Sequence, residues 1–252
     1  MRYIVFTNYM TSTLTIIRYK KRYILFAFLA MAIFRVPLGL NKRCSFWKLM
    51  GSGKNGTFDK TPDLQQWAIL SVSNLKFKEV QLKHYSREIL LQKLYGTLIR
   101  KWLTIFNCET ITYLLEPIEG HGLWDNKKVF GELPPKSDFE GQIATLTRAT
   151  IRLSKLKSFW QNVNGVASKM SGASGFITSY GIGEIPWIKQ ATFSIWQSKE
   201  AMKNFAYQMK EHQEVIQKTR QQKWYSEDMF VRFKINGCIG TVNGINPLKG
   251  KL

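Results

Sequence analysis

The sequence predicts an α+β protein built from two tandem ferredoxin-like repeats of the dimeric α/β-barrel type, with face-to-face antiparallel sheets. Three observations predict it. The two halves of the 252-residue chain share one layout. Each half carries a Gly-x-Gly directly after an apolar, strand-like run. The order of runs in each half reads strand–helix–strand–strand–helix–strand.

The elements follow in order. "LTIIRYKKRYILFAFLAMA" opens the first half and "ATIRLSKLKSFWQNVNGVA" the second. Each is a short β-type run ending in Ile-Arg (Arg18, Arg152), then a basic turn and a helical stretch. "CSFWKLMGSGKN" matches "SGFITSYGIGEI", setting Gly51 and Gly53 against Gly181 and Gly183. "QQWAILSVSN" matches "KQATFSIWQS", a further strand ending in a polar turn. A helix follows in each half, then a last strand, "ETITYLLEPI" or "MFVRFKI". Residues 121–142, with two prolines and three glycines, read as a linker between repeats at 1–120 and 143–252.

Neither Gly-x-Gly reads as a phosphate loop. A dinucleotide fingerprint or a Walker A loop opens a helix. Here Pro186, Trp187 and another strand follow Gly183, and in "GSGKNG" the lysine precedes Asn55 instead of Ser or Thr. The glycines read as turn residues, supplying positive φ or close backbone approach.

A hydrophobic share of 44% with 21% charged residues is that of a globular chain. The net charge of +20 is unusual and uneven: residues 1–58 hold ten Lys or Arg and no Asp or Glu. Such a balance favours anionic partners: nucleic acid, anionic headgroups or an acidic redox protein. Cys44, Cys108 and Cys238 lie far apart and suggest neither a disulfide framework nor a zinc site, so a reducing cytoplasm fits best. The longest apolar run, "YILFAFLAMAIF" at 23–34, reaches about 18 Å as a helix, short of a bilayer core. With Pro37 beyond it, the run reads as a buried helix and no spanning segment is expected. The alternative is a helix on a membrane surface, with Lys20, Lys21, Arg22 and Arg35 at the headgroups.

Met202, Phe205, Ala206, Met209, His212 and Ile216 recur at helical spacing on one face. A lone histidine on such a face is more often a core residue bonded to backbone or water; the rival reading is an axial haem ligand. His84 and His121 read as surface or turn residues. No GxSxG, HExxH or Cys–His pair is present. Glu227 and Asp228 read as a helix start or solvated turn. Aromatic and basic residues interleave in "SFWKL", "PWIKQ" and "QKWYS", as in single-strand binders, but these aromatics alternate within strands and fit a core better.

The segments "LTRATIR", "GIGEIPWIKQATFSIW", "AMKNFAY", His212 before "EVIQKTR", and "KWYSEDMFVRF" resemble the spheroidene monooxygenase family. "FWKLMGSGK" and "PIEGHGLW" extend the resemblance across residues 14–244, most specifically over 146–233. The resemblance implies a haem-dependent monooxygenase that takes electrons from a ferredoxin-type donor. It would insert oxygen from O2 into a linear carotenoid or similar apolar substrate and form a keto group. On that reading His212 holds the iron, and Arg148 and Arg152 meet the haem propionates. Trp187 and Trp196 line the pocket, and Ser179 or Lys189 hydrogen-bonds bound O2. A substrate that lives in membrane would suit peripheral contact of the basic, apolar N-terminal region with a membrane surface, and a homodimer is compatible with the fold. A non-catalytic haem or apolar-ligand carrier and a basic nucleic-acid module are the alternatives.

Overall fold

A computed structural model describes residues 11–54, 56, 60–74, 85–208, 217–219 and 221–251. The elements are β1 (Thr11–Arg18), α1 (Ile24–Ile33), α2 (Arg35–Leu40), β2 (Cys44–Gly53), β3 (Pro62–Ser73), α3 (Arg87–Ile105) and β4 (Glu109–Gly122). There follow β5 (Ile143–Ile151), α4 (Leu156–Met170), β6 (Phe176–Ile185), β7 (Lys189–Trp196), α5 (Lys199–Gln208) and β8 (Tyr225–Gly240).

All strand pairs are antiparallel and close into one barrel in the order β1-β3-β2-β6-β7-β5-β8-β4. Within each half the order is the same: β4-β1-β3-β2 and β8-β5-β7-β6. The two half-sheets are joined at both edges, so they form one continuous wall, and no strand edge is left open. One seam, β4–β8, runs from Ile111↔Gly240 to Gly122↔Met229. The other, β2–β6, is only Gly51↔Gly183 and Ser52↔Ile182. The two Gly-x-Gly motifs therefore face each other across the short seam.

None of these four glycines has a positive φ, so the expected turn conformation is not their reason. At Gly183 the reason is close approach: a Cβ would lie 2.9 Å from Gln190 Nε2 and from the Lys189 carbonyl. Ser52 ties the seam by donating to the Gly181 carbonyl at 2.9 Å, while Gln66 Nε2 donates to Ser52 Oγ at 2.8 Å.

Strand alternation puts Leu14, Leu70, Leu146, Phe193, Val231 and Phe233 inside the barrel. Two turns plug its ends, and both are built alike. Trp124↔Lys127 forms an isolated bridge after β4, and Val242↔Ile245 forms one after β8. A carboxylate from the start of the paired strand caps each turn: Glu227 accepts from the Asp125 and Asn126 amides, Glu109 from the Gly244 amide. Trp124, Val129 and Phe130 enter the core from residues 121–142, so this stretch is partly barrel interior as well as connection.

The helices lie outside. Tyr19, Ala27, Ala30, Phe34, Leu91 and Leu103 belong to a single cluster covering the first half-sheet. Helix continues beyond residue 34: residues Lys21–Leu40 form a run long and apolar enough to cross a membrane, although its buried stripe is packed on the sheet. Pro37 does not stop it, because it sits in the first turn of α2, where a backbone N–H has no helical partner to lose. α3 begins with Ser86 accepting from the Ile89 amide at 3.3 Å.

Candidate functional site

Two clusters of functional groups emerge, one inside a barrel end and one on the outer wall. At the end plugged by Trp124, Arg148 is in phase with Ala144 and Leu146 and points inward, 1% exposed. It forms a close ion pair with Glu227, contacts Glu184 at 3.3 Å and Asp125 at 3.6 Å, and lies 5.1 Å over the Trp124 ring. Lys48 pairs with Glu184 at 2.6 Å and with Asp125, and Lys189 reaches Asp125 at 2.9 Å. Three cations thus meet three carboxylates, and Trp124 Nε1 donates to Glu184 at 2.9 Å. Burial works against the Asp125 carboxylate, but hydrogen bonds and charge from Lys48 and Lys189 prevail and hold its pKa at about 2. Glu227 is also held low: burial opposes, while the Asn126 amide and Arg148 outweigh it. Deeper inside, the Tyr113 and Tyr180 hydroxyls meet at 2.9 Å, and burial raises the pKa of both.

The outer wall of the second half is built differently from that of the first. Among the described residues its apolar side chains divide into two groups. Ile143, Trp196, Met202 and Phe205 pack at one end under α5. Ile151, Phe159, Trp160 and Trp224 pack at the other. Between them, strand alternation leaves Thr145, Thr147 and Ala149 of β5, Thr192 and Ser194 of β7, and Ser179 and Gly181 of β6. Their registers are Thr145↔Ser194↔Ser179 and Thr147↔Thr192↔Gly181. This band is made of small residues with hydroxyls.

The band is also short of partners. The Oγ1 atoms of Thr145 and Thr192 are buried with no hydrogen-bond partner among the described residues, as is the Nε of Arg232, which faces Thr145 on β8. Leaving a buried hydroxyl unpaired is unfavourable, so such atoms mark places where another group is expected. Arg232 is otherwise held by a close pair with Glu119, which also accepts from Lys199 at 2.8 Å and the Ser137 amide at 2.8 Å. In the first half Thr110 Oγ1 also lacks a described partner, but the outward threonines of β1 are paired. There Tyr95 OH sits between Thr15 Oγ1 at 2.7 Å and Thr13 Oγ1 at 3.2 Å, and Thr15 meets Thr112 at 2.8 Å.

The residues singled out in the sequence separate into three places. Ser179 and Trp196 lie on the outer wall of the second half, Trp196 donating to Ser194 at 2.9 Å. Arg148 and Lys189 belong to the barrel-end ion cluster. Arg152 is exposed and donates to the Tyr225 carbonyl at 3.1 Å, and Trp187 is a half-exposed turn residue with φ 63°. His212 and His84 lie outside the described residues. His121 sits in β4, exposed and stacked on Phe230 at 5.8 Å. Glu227 and Asp228 are strand residues, not a helix start. Sequence reasoning missed the partners of Arg148. The available signal was phase: Glu227 stands two residues before Met229 and four before Val231, both barrel-facing, and an acid in such a position needs a cation opposite.

This barrel, with its helices outside, is shared with solved aldoxime dehydratases. One, in complex with butyraldoxime, aligns over 96% of this chain and 85% of its own with a TM-score of 0.62 and 9% identity. A second aligns over 96% and 87% with a TM-score of 0.59 and 10% identity. At such identities the likeness is one of fold. No protein-family model matches the chain. Three relatives in sequence are each called spheroidene monooxygenase. That of Cereibacter sphaeroides is 32% identical over 207 residues, 82% of this chain and 60% of its own length. That of Rhodobacter capsulatus is 29% identical over 225 residues, 88% of both. That of Rubrivivax gelatinosus is 39% identical over 117 residues, 46% of this chain and 44% of its own. In sequence the chain is therefore similar to spheroidene monooxygenases. It spans 60% of the length of the Cereibacter relative.

Proposed function

We propose that this chain is a monooxygenase that uses haem to insert oxygen from O2 into a linear carotenoid or a similarly long apolar substrate. Likeness to relatives called spheroidene monooxygenase supports oxygen insertion, and their shared name supports a carotenoid. The observation that carries the cofactor reading is the interrupted outer wall of the second half. A band of Thr, Ser, Gly and Ala between two aromatic groups, with two unpartnered hydroxyls, fits a flat apolar ring with polar edges.

The chain's own residues divide the work. Trp196, Met202 and Phe205 form an apolar wall that excludes water from one end of the band. Thr145, Thr192 and Ser179 provide hydroxyls able to donate to an oxygen atom held over the sheet. Arg232 keeps a buried Nε–H free beside Thr145 and can meet an acidic edge group, a role for which Arg148 and Arg152 are directed elsewhere. The spacing that places Met202 and Phe205 on the buried face carries on to His212, the residue assigned to hold the iron. When bound, haem would supply O2 activation with electrons from an external donor. The basic surface favours an acidic, ferredoxin-type donor.

The test is an absorbance spectrum of the full chain reconstituted with haem. A Soret band that shifts or disappears in His212→Ala supports the reading; a well-folded chain that takes up no haem overturns it. Oxygenation of a carotenoid with ferredoxin and reductase then separates an enzyme from a haem carrier.

A further inference from the structure

α1 and α2 are apolar on both faces. Ala27, Ala30, Phe34 and Leu38 form the buried stripe, at spacings of three or four residues, against Ile17, Leu49 and Ile69 of the barrel. The opposite stripe is Leu25, Phe28, Leu29, Ile33, Val36 and Leu40, and all of it is exposed, Leu25 by 77% and Leu40 by 75%. No charged residue interrupts residues 23–34. Phe26 stacks on Phe106 with centroids 4.5 Å apart, joining the stripe to the end of α3, where Ile105 is 72% exposed. A contiguous apolar surface of this kind marks a contact with something apolar.

The charges around it identify the partner. Lys20, Lys21 and Arg22 stand at one end of the stripe, Arg35, Lys42 and Arg43 along its other end, and all six are exposed. No acidic residue occurs in residues 1–58. A second copy docking through this face would bring two cationic rims together. An anionic bilayer instead offers acyl chains to the stripe and headgroup charge to the rim. We propose that the α1–α2 face is a membrane-docking surface that lies flat on an anionic lipid bilayer. The segment rests on the bilayer and does not cross it, because its other stripe is packed on strands and both of its ends return to the barrel through β1 and β2.

Co-sedimentation of the full-length chain with vesicles tests this. Phosphatidylcholine vesicles containing phosphatidylglycerol are compared with phosphatidylcholine alone. The chain is expected to sediment with the anionic vesicles and to be released by salt. Leu25→Glu with Leu29→Glu is expected to lower partitioning at least about tenfold, and Lys20→Glu with Lys21→Glu to remove the preference for anionic lipid. All four side chains are exposed, so unchanged thermal unfolding should confirm intact folding. Binding to neither vesicle, or undiminished binding of the Leu25/Leu29 variant, overturns the proposal. So does a dimer that the same variant converts to monomer without any vesicle binding.

Discussion

The two half-sheets have the same strand order, yet their helix layers do opposite things. Over β1–β4 one continuous apolar cluster covers the wall, and Tyr95 bonds Thr13 and Thr15 beneath it, leaving Thr110 Oγ1 without a described partner. That layer turns its unpartnered apolar surface outward. Over β5–β8 the apolar cover formed by the described residues is split in two, and Thr145 and Thr192, which lack a partner among those residues, are beneath it. The barrel thus supplies a scaffold twice over, and what each half can bind is set by the helices laid on it.

The largest effect that sharpens this contrast concerns position 148. Arg148 occupies an inward place that a leucine, Leu14, fills in the matching stretch of the first half. Arg148→Met leaves the half-buried Glu184 and Glu227 without their guanidinium, and a loss of about 2–3 kcal/mol is expected in denaturant unfolding. A smaller loss would show that Lys48 and Lys189 alone can neutralise the cluster.

The sealed and open walls predict changes of opposite sign. Tyr95→Phe takes one hydrogen bond from each of the Thr13 and Thr15 hydroxyls, which keep Ser71 and Thr112 as partners, and should lower stability by about 1–2 kcal/mol. Thr145→Val and Thr192→Val remove hydroxyls that have no described partner, so the haem-free chain should keep or gain stability. Under the proposed function the same valines should weaken haem uptake, read by spectral titration. Equal destabilisation by all three would break the comparison.

At the seam where the halves meet, Gly183→Ala places a methyl 2.9 Å from Gln190 and the Lys189 carbonyl, and should cost about 1–2 kcal/mol. Gly51→Ala, whose Cβ would touch only the Trp67 ring at 3.9 Å, should stay within about 0.5 kcal/mol. Thermal unfolding of the two variants reads the difference.

The smallest effect is acid sensitivity at the Trp124 plug. Asp125 has a folded pKa of about 2, below the ordinary carboxylate value, so its contribution is present at neutral pH. That contribution falls away as pH drops from about 4 towards 2, when the unfolded chain binds the proton first. Asp125 is more than a third exposed, so solvent screening keeps the effect small. Asp125→Asn should flatten the acid limb of stability measured by Trp fluorescence. An unchanged limb would assign the acid sensitivity to Glu227.

Element order was legible in the sequence because strand and helix periods are local. "LTIIR", "QQWAILSVSN" and "MFVRFKI" declare themselves as strands by their own residues, and the Met202–Phe205 face does so as a helix. Of the candidate site, Ser179 and Trp196 were legible as strand residues; that they share an outer wall was not. The ionic partners of Arg148 were not, since Glu227 lies 79 positions after it and Asp125 23 positions before it, and they meet it only when β5, β8 and the plug converge.

By itself the sequence determined the strands, the matching layout of the halves, and the apolar run of α1. Tertiary structure alone decided that the two Gly-x-Gly motifs meet at a seam, that Trp124 and Val242 stopper the barrel, and which stripe of α1 remains uncovered. The reason is physical. Periodicity records which side of a segment avoids water, whereas pairing and exposure depend on what the rest of the chain brings to that side.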